Sequence, residues 1–267
     1  MRLITRVMVV FCAAGLSIPA LSAQAWAKAK LENSPRHREI VTITHDGRSL
    51  QAFVAYPQAS GKRPVVLVIH EIFGLSDWAQ ELTDELAAAG YVAIAPDLLS
   101  GEGRKGGGTE SFSGQTAIAR AINALPPAQI EADLNAAADW ALKQPASNGQ
   151  LYVAGFCWGG GQSFRFATER RGLRAAFVFY GVPPSPEAMA TITAPVYGFY
   201  AGDDARISAT VPDTRARMNA LHKLYQAVIY PGAGHGFMRA GEQPGATPAN
   251  AAARRQAWSS MLEILKH

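Results

Sequence analysis

Apolar residues along this chain fall into short runs separated by turn residues, and the period of each run separates strands from helices. Residues 39–45 and 49–56 are strand-like and are joined by Asp46-Gly47, a pair selected by two-residue hairpin turns. Residues 65–69 form an unbroken aliphatic run, which predicts a strand buried on both faces. Further strands are predicted at 91–95, 151–154, 175–180, 196–201 and 227–230. Helical spacing predicts helices over about 77–89, 130–141, 158–171, 211–225 and 251–266, the first opened by an Asp77/Gln80 capping box and ended by Gly90. The glycine- and serine-rich stretch 100–114 is long enough for a lid or flap. Strands alternating with helices after an opening hairpin predict one α/β domain over 37–267, a mostly parallel sheet covered by helices on both faces.

The N-terminus follows a different pattern. Arg2 and Arg6 precede an apolar stretch over 7–21, then Ala23-Gln24-Ala25, with Ala25-Trp26-Ala27 as a second cleavage site. The stretch is shorter than the roughly 20 residues that span a bilayer. A secretory signal over 1–25, cut after Ala25 or Ala27, is therefore expected, with a periplasmic or secreted destination. The polar residues 26–36 are expected to be a disordered lead-in.

Removing the leader lowers the net charge from +4 to +2, too mild to imply nucleic acid or a membrane surface as partner. It also removes Cys12, so Cys157 stands alone without a disulfide partner. A monomer is expected.

Cys157 lies in Gly155-Phe156-Cys157-Trp158-Gly159, directly after an apolar run. This is the strand-to-helix nucleophile elbow with cysteine in the usual serine position, and no Gly-x-Ser-x-Gly competes with it. A thiol nucleophile needs a base, and the base an orienting acid. Of six histidines, His235 sits in a glycine-rich loop after the last strand, where an α/β sheet collects its active site. The acid belongs between nucleophile and histidine, after the 196–201 strand, and spacing leaves Asp203 and Asp204 equivalent. The loop after 65–69 and the residue after the nucleophile supply the oxyanion amides of such a fold, which are Ile72 and Trp158 here. His70-Glu71 is not a zinc motif, because Gly74 stands where the second histidine belongs. No metal or cofactor is expected.

Glu71-Ile72-Phe73-Gly74, Gly155-Phe156-Cys157-Trp158-Gly159-Gly160, Asp204-Ala205-Arg206-Ile207 and Gly234-His235-Gly236-Phe237 together resemble the four motifs of the dienelactone hydrolase family. The resemblance covers roughly residues 40–266 and implies an α/β-hydrolase fold with a Cys157-Asp204-His235 triad. It further implies that Glu71 contacts the resting thiol and that Arg239 binds a substrate carboxylate. Relatives resemble Asp-Leu-Tyr-x-Arg after the Pro-Asp turn, whereas this chain has Asp97-Leu98-Leu99-Ser100-Gly101. Arg104 or Lys105 is then the candidate replacement for the missing arginine.

The reading is an exported hydrolase of small esters or lactones, carboxymethylenebutenolidase-like, working through an acyl-cysteine. The alternative is an exported binding or envelope protein that keeps the fold without activity, and a complete nucleophile, acid, base and oxyanion loop argues against it.

Overall fold

The computed structural model describes residues 24–267. The leader expected over 1–25 therefore falls almost wholly outside the described residues.

The described chain opens on a helix, α1 (Ala25–Glu32), so residues 26–36 are not a disordered lead-in. Their order comes from partners distant in sequence, which local composition does not reveal. Ala27 is fully buried. Lys30 Nζ donates to Glu81 Oε1 at 3.1 Å, and both Ser34 Oγ and Arg36 Nε donate to Asp84 Oδ1 at 2.9 Å.

The hairpin follows as β1 (Arg38–His45) and β2 (Arg48–Ala55). Asp46 and Gly47 both take positive φ, 47° and 75°, as a type I′ turn requires. Then come β3 (Arg63–Ile69), α2 (Asp77–Ala88) and β4 (Val92–Pro96). Ser76 caps α2 by accepting from Ala79 N, and the expected Asp77/Gln80 box does not form because Gln80 Nε2 donates to Leu75 O.

Helix α3 (Gln115–Ala124) was not expected from the pattern, and α4 (Pro127–Leu142) begins at Pro127. The order continues through β5 (Ser147–Phe156), α5 (Trp158–Glu169), β6 (Leu173–Phe179), α6 (Pro186–Met189), β7 (Val196–Ala201) and α7 (Ala205–Ser208). It ends with α8 (Val211–Ala220), β8 (Tyr225–Tyr230), α9 (Phe237–Ala240) and α10 (Pro248–Leu265). The helix expected over 211–225 stops early because β8 claims Tyr225 for pairing with Val196.

The eight strands lie in the order β1-β2-β4-β3-β5-β6-β7-β8. β1, β2 and β4 pair antiparallel, and every pair from β4 across to β8 is parallel. Apolar cores cover both faces, one holding Leu67, Val153 and Phe164, the other Trp78, Phe156 and Phe177. The parallel strands all end on one edge of the sheet, so their exit turns are gathered there. No helix of the described residues is long and apolar enough to cross a membrane.

Candidate active site

Cys157 leaves β5 with φ 58° and ψ −117°, a conformation that costs a non-glycine residue about 1–3 kcal/mol. The surrounding glycines make this turn possible. A Cβ at Gly155 would collide with Gly159 O, and one at Gly159 with the carbonyls of Ile69 and His70. The elbow is thus wedged between β3 and β5, and the thiol stands clear of the sheet.

His235 comes from the turn after β8, where Gly236 takes φ 76° and Asn250 Oδ1 accepts the N–H of Gly234. Its Nε2 lies 3.0 Å from Cys157 Sγ, and its Nδ1 lies 2.5 Å from Asp204 Oδ2. Asp204 follows β7, which resolves the two adjacent acids: Asp203 is exposed and Asp204 meets the imidazole. The hydrogen bond with Cys157 is the main cause raising the His235 pKa to about 9, with Asp204 adding to it against the effect of burial.

Ile72 and Trp158 both line the cleft beside the thiol, and among the described residues neither backbone N–H is used in a hydrogen bond. His70, which the sequence offered only as half of a rejected zinc motif, helps to set that geometry. Its Nδ1 donates to Glu71 O at 2.8 Å, and Gly74 N donates to the same oxygen at 3.1 Å. With that carbonyl fixed, the trans peptide aims the Ile72 N–H the opposite way. The buried His70 ring also stacks on Trp158, and burial lowers its pKa, which keeps it neutral.

Glu71 makes no hydrogen bond with the resting thiol, whose partner is His235. Its Oε2 accepts from Arg239 Nε at 2.8 Å, and Arg239 also packs over Phe73. Burial raises the Glu71 pKa, and Arg239 opposes the shift. The arginine that the resemblance gives to a substrate carboxylate is therefore the counter-ion of Glu71, and it is absent from the cleft lining.

Tyr180 was also missed by sequence reasoning. It follows β6 with φ 41° and is buried edge-on to His235 at 5.0 Å. Burial pushes its phenol well above the usual range, and the nearby Glu71 and Cys157 charges push the same way. Nothing in the local pattern sets it apart from a core tyrosine at a strand end.

Arg104 and Lys105 are exposed and outside the cleft lining, so neither replaces the missing arginine. The 100–114 loop is also pinned in place. Asp97 accepts from the backbone and hydroxyl of Thr109, each at 2.7 Å, and Thr109 Oγ1 accepts from Leu75 N at 3.0 Å. A Cβ at Gly74 would strike that hydroxyl. At the departure from the family pattern, Leu98 and Leu99 are fully buried, and Gly101 takes φ 82° beside Arg48.

The cleft holds about 590 Å³ and runs from Cys157 and His235 along one face of α5. A parallel sheet with a cysteine at the strand-to-helix elbow after β5, an aspartate after β7 and a histidine after β8 has the arrangement of an α/β hydrolase. Comparison with known proteins narrows the class: residues 50–267 match the dienelactone hydrolase family, and the chain belongs to that family. It is accordingly an enzyme that hydrolyses small-molecule esters or lactones.

A Salmonella typhi protein named "Putative carboxymethylenebutenolidase" is 34% identical over 84% of this chain and 85% of its own. A Saccharolobus solfataricus protein of the same name is 32% identical over 72% of this chain and 85% of its own. Among solved structures, a "Putative Dienelactone Hydrolase" from Klebsiella pneumoniae superposes with TM-score 0.76 at 28% identity, over 87% of this chain and 99% of that one.

Proposed function

We propose that the chain is a carboxymethylenebutenolidase-like hydrolase that works through an acyl-Cys157 intermediate. The observation that carries this reading is the continuous hydrogen-bonded line from Cys157 Sγ through His235 to Asp204. Hydrogen bonding to Cys157, with Asp204 adding to it, raises the His235 pKa to about 9, so the imidazole is a strong acceptor for the thiol proton as sulfur attacks.

The thiolate attacks the carbonyl carbon, an S–C bond forms, and the oxyanion is received by the N–H groups of Ile72 and Trp158. As the tetrahedral centre collapses, the C–O bond breaks and His235 gives its proton to the leaving oxygen. In a lactone that oxygen stays on the acyl fragment. His235 then takes a proton from water, hydroxide adds to the thioester carbon, and the S–C bond breaks to release the acid and restore the thiolate. Asp204 keeps the imidazole in the required tautomer throughout.

We further propose export, on the strength of the leader pattern in the first residues, with the cut after Ala25, which keeps all of α1 but its first residue. The alternative cut after Ala27 would remove Ala27, which is fully buried in the folded domain.

Acid quenching during turnover of p-nitrophenyl acetate, followed by peptide mass analysis, tests the mechanism. An acetyl group on the Cys157 peptide, absent after hydroxylamine, is the expected result. Full turnover by Cys157→Ala would refute the mechanism.

A further inference from the structure

The two oxyanion donors are held in different ways. Trp158 opens α5, and Gly160 N and Gly161 N both donate to Cys157 O, at 3.0 and 3.3 Å, so its N–H is set by the helix itself. Ile72 lies in the connection between β3 and α2, where neither a ladder nor a helix fixes the backbone. The direction of its N–H follows from Glu71 O, which accepts from Gly74 N at 3.1 Å. Gly74 takes φ 69° and, having no Cβ, is the freest point of the connection. The aim of Ile72 therefore depends on what holds Gly74.

Thr109 holds it, from the 100–114 loop. The peptide between Gly74 and Leu75 is clamped at both ends: Ser76 N donates to Gly74 O at 2.8 Å, and Leu75 N donates to Thr109 Oγ1 at 3.0 Å. The Thr109 side chain also fills the space that a Cβ on Gly74 would need. Asp97, just beyond β4, fixes Thr109 in turn by accepting from its N–H and its hydroxyl, each at 2.7 Å. Leu75, Thr109 and Asp97 are all buried, so bulk water does not compete for these bonds. A hydroxyl can accept from Leu75 and donate to Asp97 at once, which serine reproduces and valine does not.

We propose that Thr109 is a positioning residue for the oxyanion site. Its hydroxyl carries the order of the 100–114 loop through Leu75 and Gly74 to Glu71 O, and so aims the Ile72 N–H at the developing oxyanion. Thr109→Val cuts this link alone, because the Thr109 N–H still ties the loop to Asp97. The inference rests on the proposed attack by Cys157.

Two reactions of the same sulfur test it. Attack on p-nitrophenyl acetate forms an S–C bond at a carbonyl carbon and places charge on its oxygen, so it uses the Ile72 N–H. Alkylation by iodoacetamide forms an S–C bond at a saturated carbon as the C–I bond breaks, and creates no oxyanion. Both rates are measured for the wild type, Thr109→Val, Thr109→Ser and Arg104→Gln, the last an exposed position of the same loop. In Thr109→Val the kcat/KM for p-nitrophenyl acetate should fall about 10- to 100-fold, short of the roughly 10²–10³-fold lost when an oxyanion donor is removed outright. The loss should fall on kcat with KM little changed, since the oxyanion is absent from the ground state. Labelling of Cys157 by iodoacetamide should keep its wild-type rate. Thr109→Ser should restore acylation, and Arg104→Gln should leave both rates unchanged.

Normal acylation by a folded Thr109→Val overturns this inference and leaves the acyl-cysteine reading standing. Equal slowing of acylation and alkylation also overturns it, because the hydroxyl then supports the thiol and not the oxyanion donor. Should Thr109→Val fail to fold, Thr109→Ala is read by the same two rates. Collapse of both variants overturns the inference, since the hydroxyl then holds the fold as a whole. A wild-type Cys157 that takes up no acetyl group overturns the acyl-cysteine reading and this inference with it.

Discussion

Two groups of buried charge in this molecule look alike on paper and behave differently. One gathers Cys157, His235, Asp204, Glu71 and Arg239 at the exits of the parallel strands. The other gathers Lys30 of α1, Glu81 and Glu85 of α2, Glu242 after α9, and Arg254 of α10. Glu71 and Glu81 are each 3% exposed, and burial raises the pKa of both.

The second group is closed and stands largely on helices. Its three carboxylates lie within 4.8 Å of one another, and among the described residues no other set of three could ligate a metal so closely. Lys30 and Arg254 already supply its cations. The first group stands on turns, carries a strained Cys157 backbone, and opens on a cleft. A displaced acid pKa thus marks burial and little else. Chemistry also requires a nucleophile fixed beside open space with its proton acceptor in contact.

Removing one group at a time from the strand-exit cluster should give the largest effects. Cys157→Ala should abolish ester turnover with an unchanged circular dichroism spectrum. His235→Ala and Asp204→Ala should each lower kcat by about 10²–10⁴-fold. Asp203→Asn should change kcat by less than about threefold, because its carboxylate faces solvent and any pair it makes there is worth roughly 0–1 kcal/mol. A crippled Asp203→Asn would reassign the acid despite the His235 contact.

Much of this architecture is legible in the sequence because parallel strands buried on both faces leave unbroken apolar runs, as in 65–69 and 151–154. The elbow is legible because Gly155, Gly159 and Cys157 answer a local steric demand. What the pattern hides is set by partners far along the chain. Helix α1 looks polar and unstructured until Asp84 and Glu81, some 50 residues on, are seen to hold it. Thr109 pins a loop that composition presents as a flap, by way of Asp97. The roles of Glu71 and Arg239 could not be separated from sequence either, since each is the other's partner across 168 residues.

The Glu71–Arg239 pair gives the next effect in size. Breaking a buried ion pair from one side leaves its partner uncompensated and typically costs about 3–5 kcal/mol. Arg239 is partly exposed, so Glu71→Gln should sit near the lower end of that range in urea unfolding. It should also alter the pH profile of Cys157 alkylation, because Glu71 and His235 act on each other electrostatically. A stable Glu71→Gln with an altered pH profile would place the pair in the chemistry alone. A destabilised variant with an ordinary profile would make it structural, like the cluster under α1.

The smallest effect belongs to that second cluster, and its sign depends on pH. Glu81 has its pKa raised from 4.5 to about 8, by burial first and then by the charges of Glu85 and Glu242. The folded state therefore keeps a proton between those values that the unfolded chain has released. Stability attributable to Glu81 is fully present below pH 4.5 and declines as pH rises to about 8. Glu81→Gln mimics the protonated form and should remove this decline. The variant should melt several degrees above the wild type at pH 9 and close to it at pH 4.5. Lys30 keeps Glu85 at 3.9 Å and Glu242 at 3.7 Å, so α1 retains its tether. Ester turnover should not change, because Glu81 is absent from the cleft lining. Melting below the wild type at every pH would show instead that ionised Glu81 holds α1 through Lys30. The two clusters would then differ in location and strain but not in how their acids are charged.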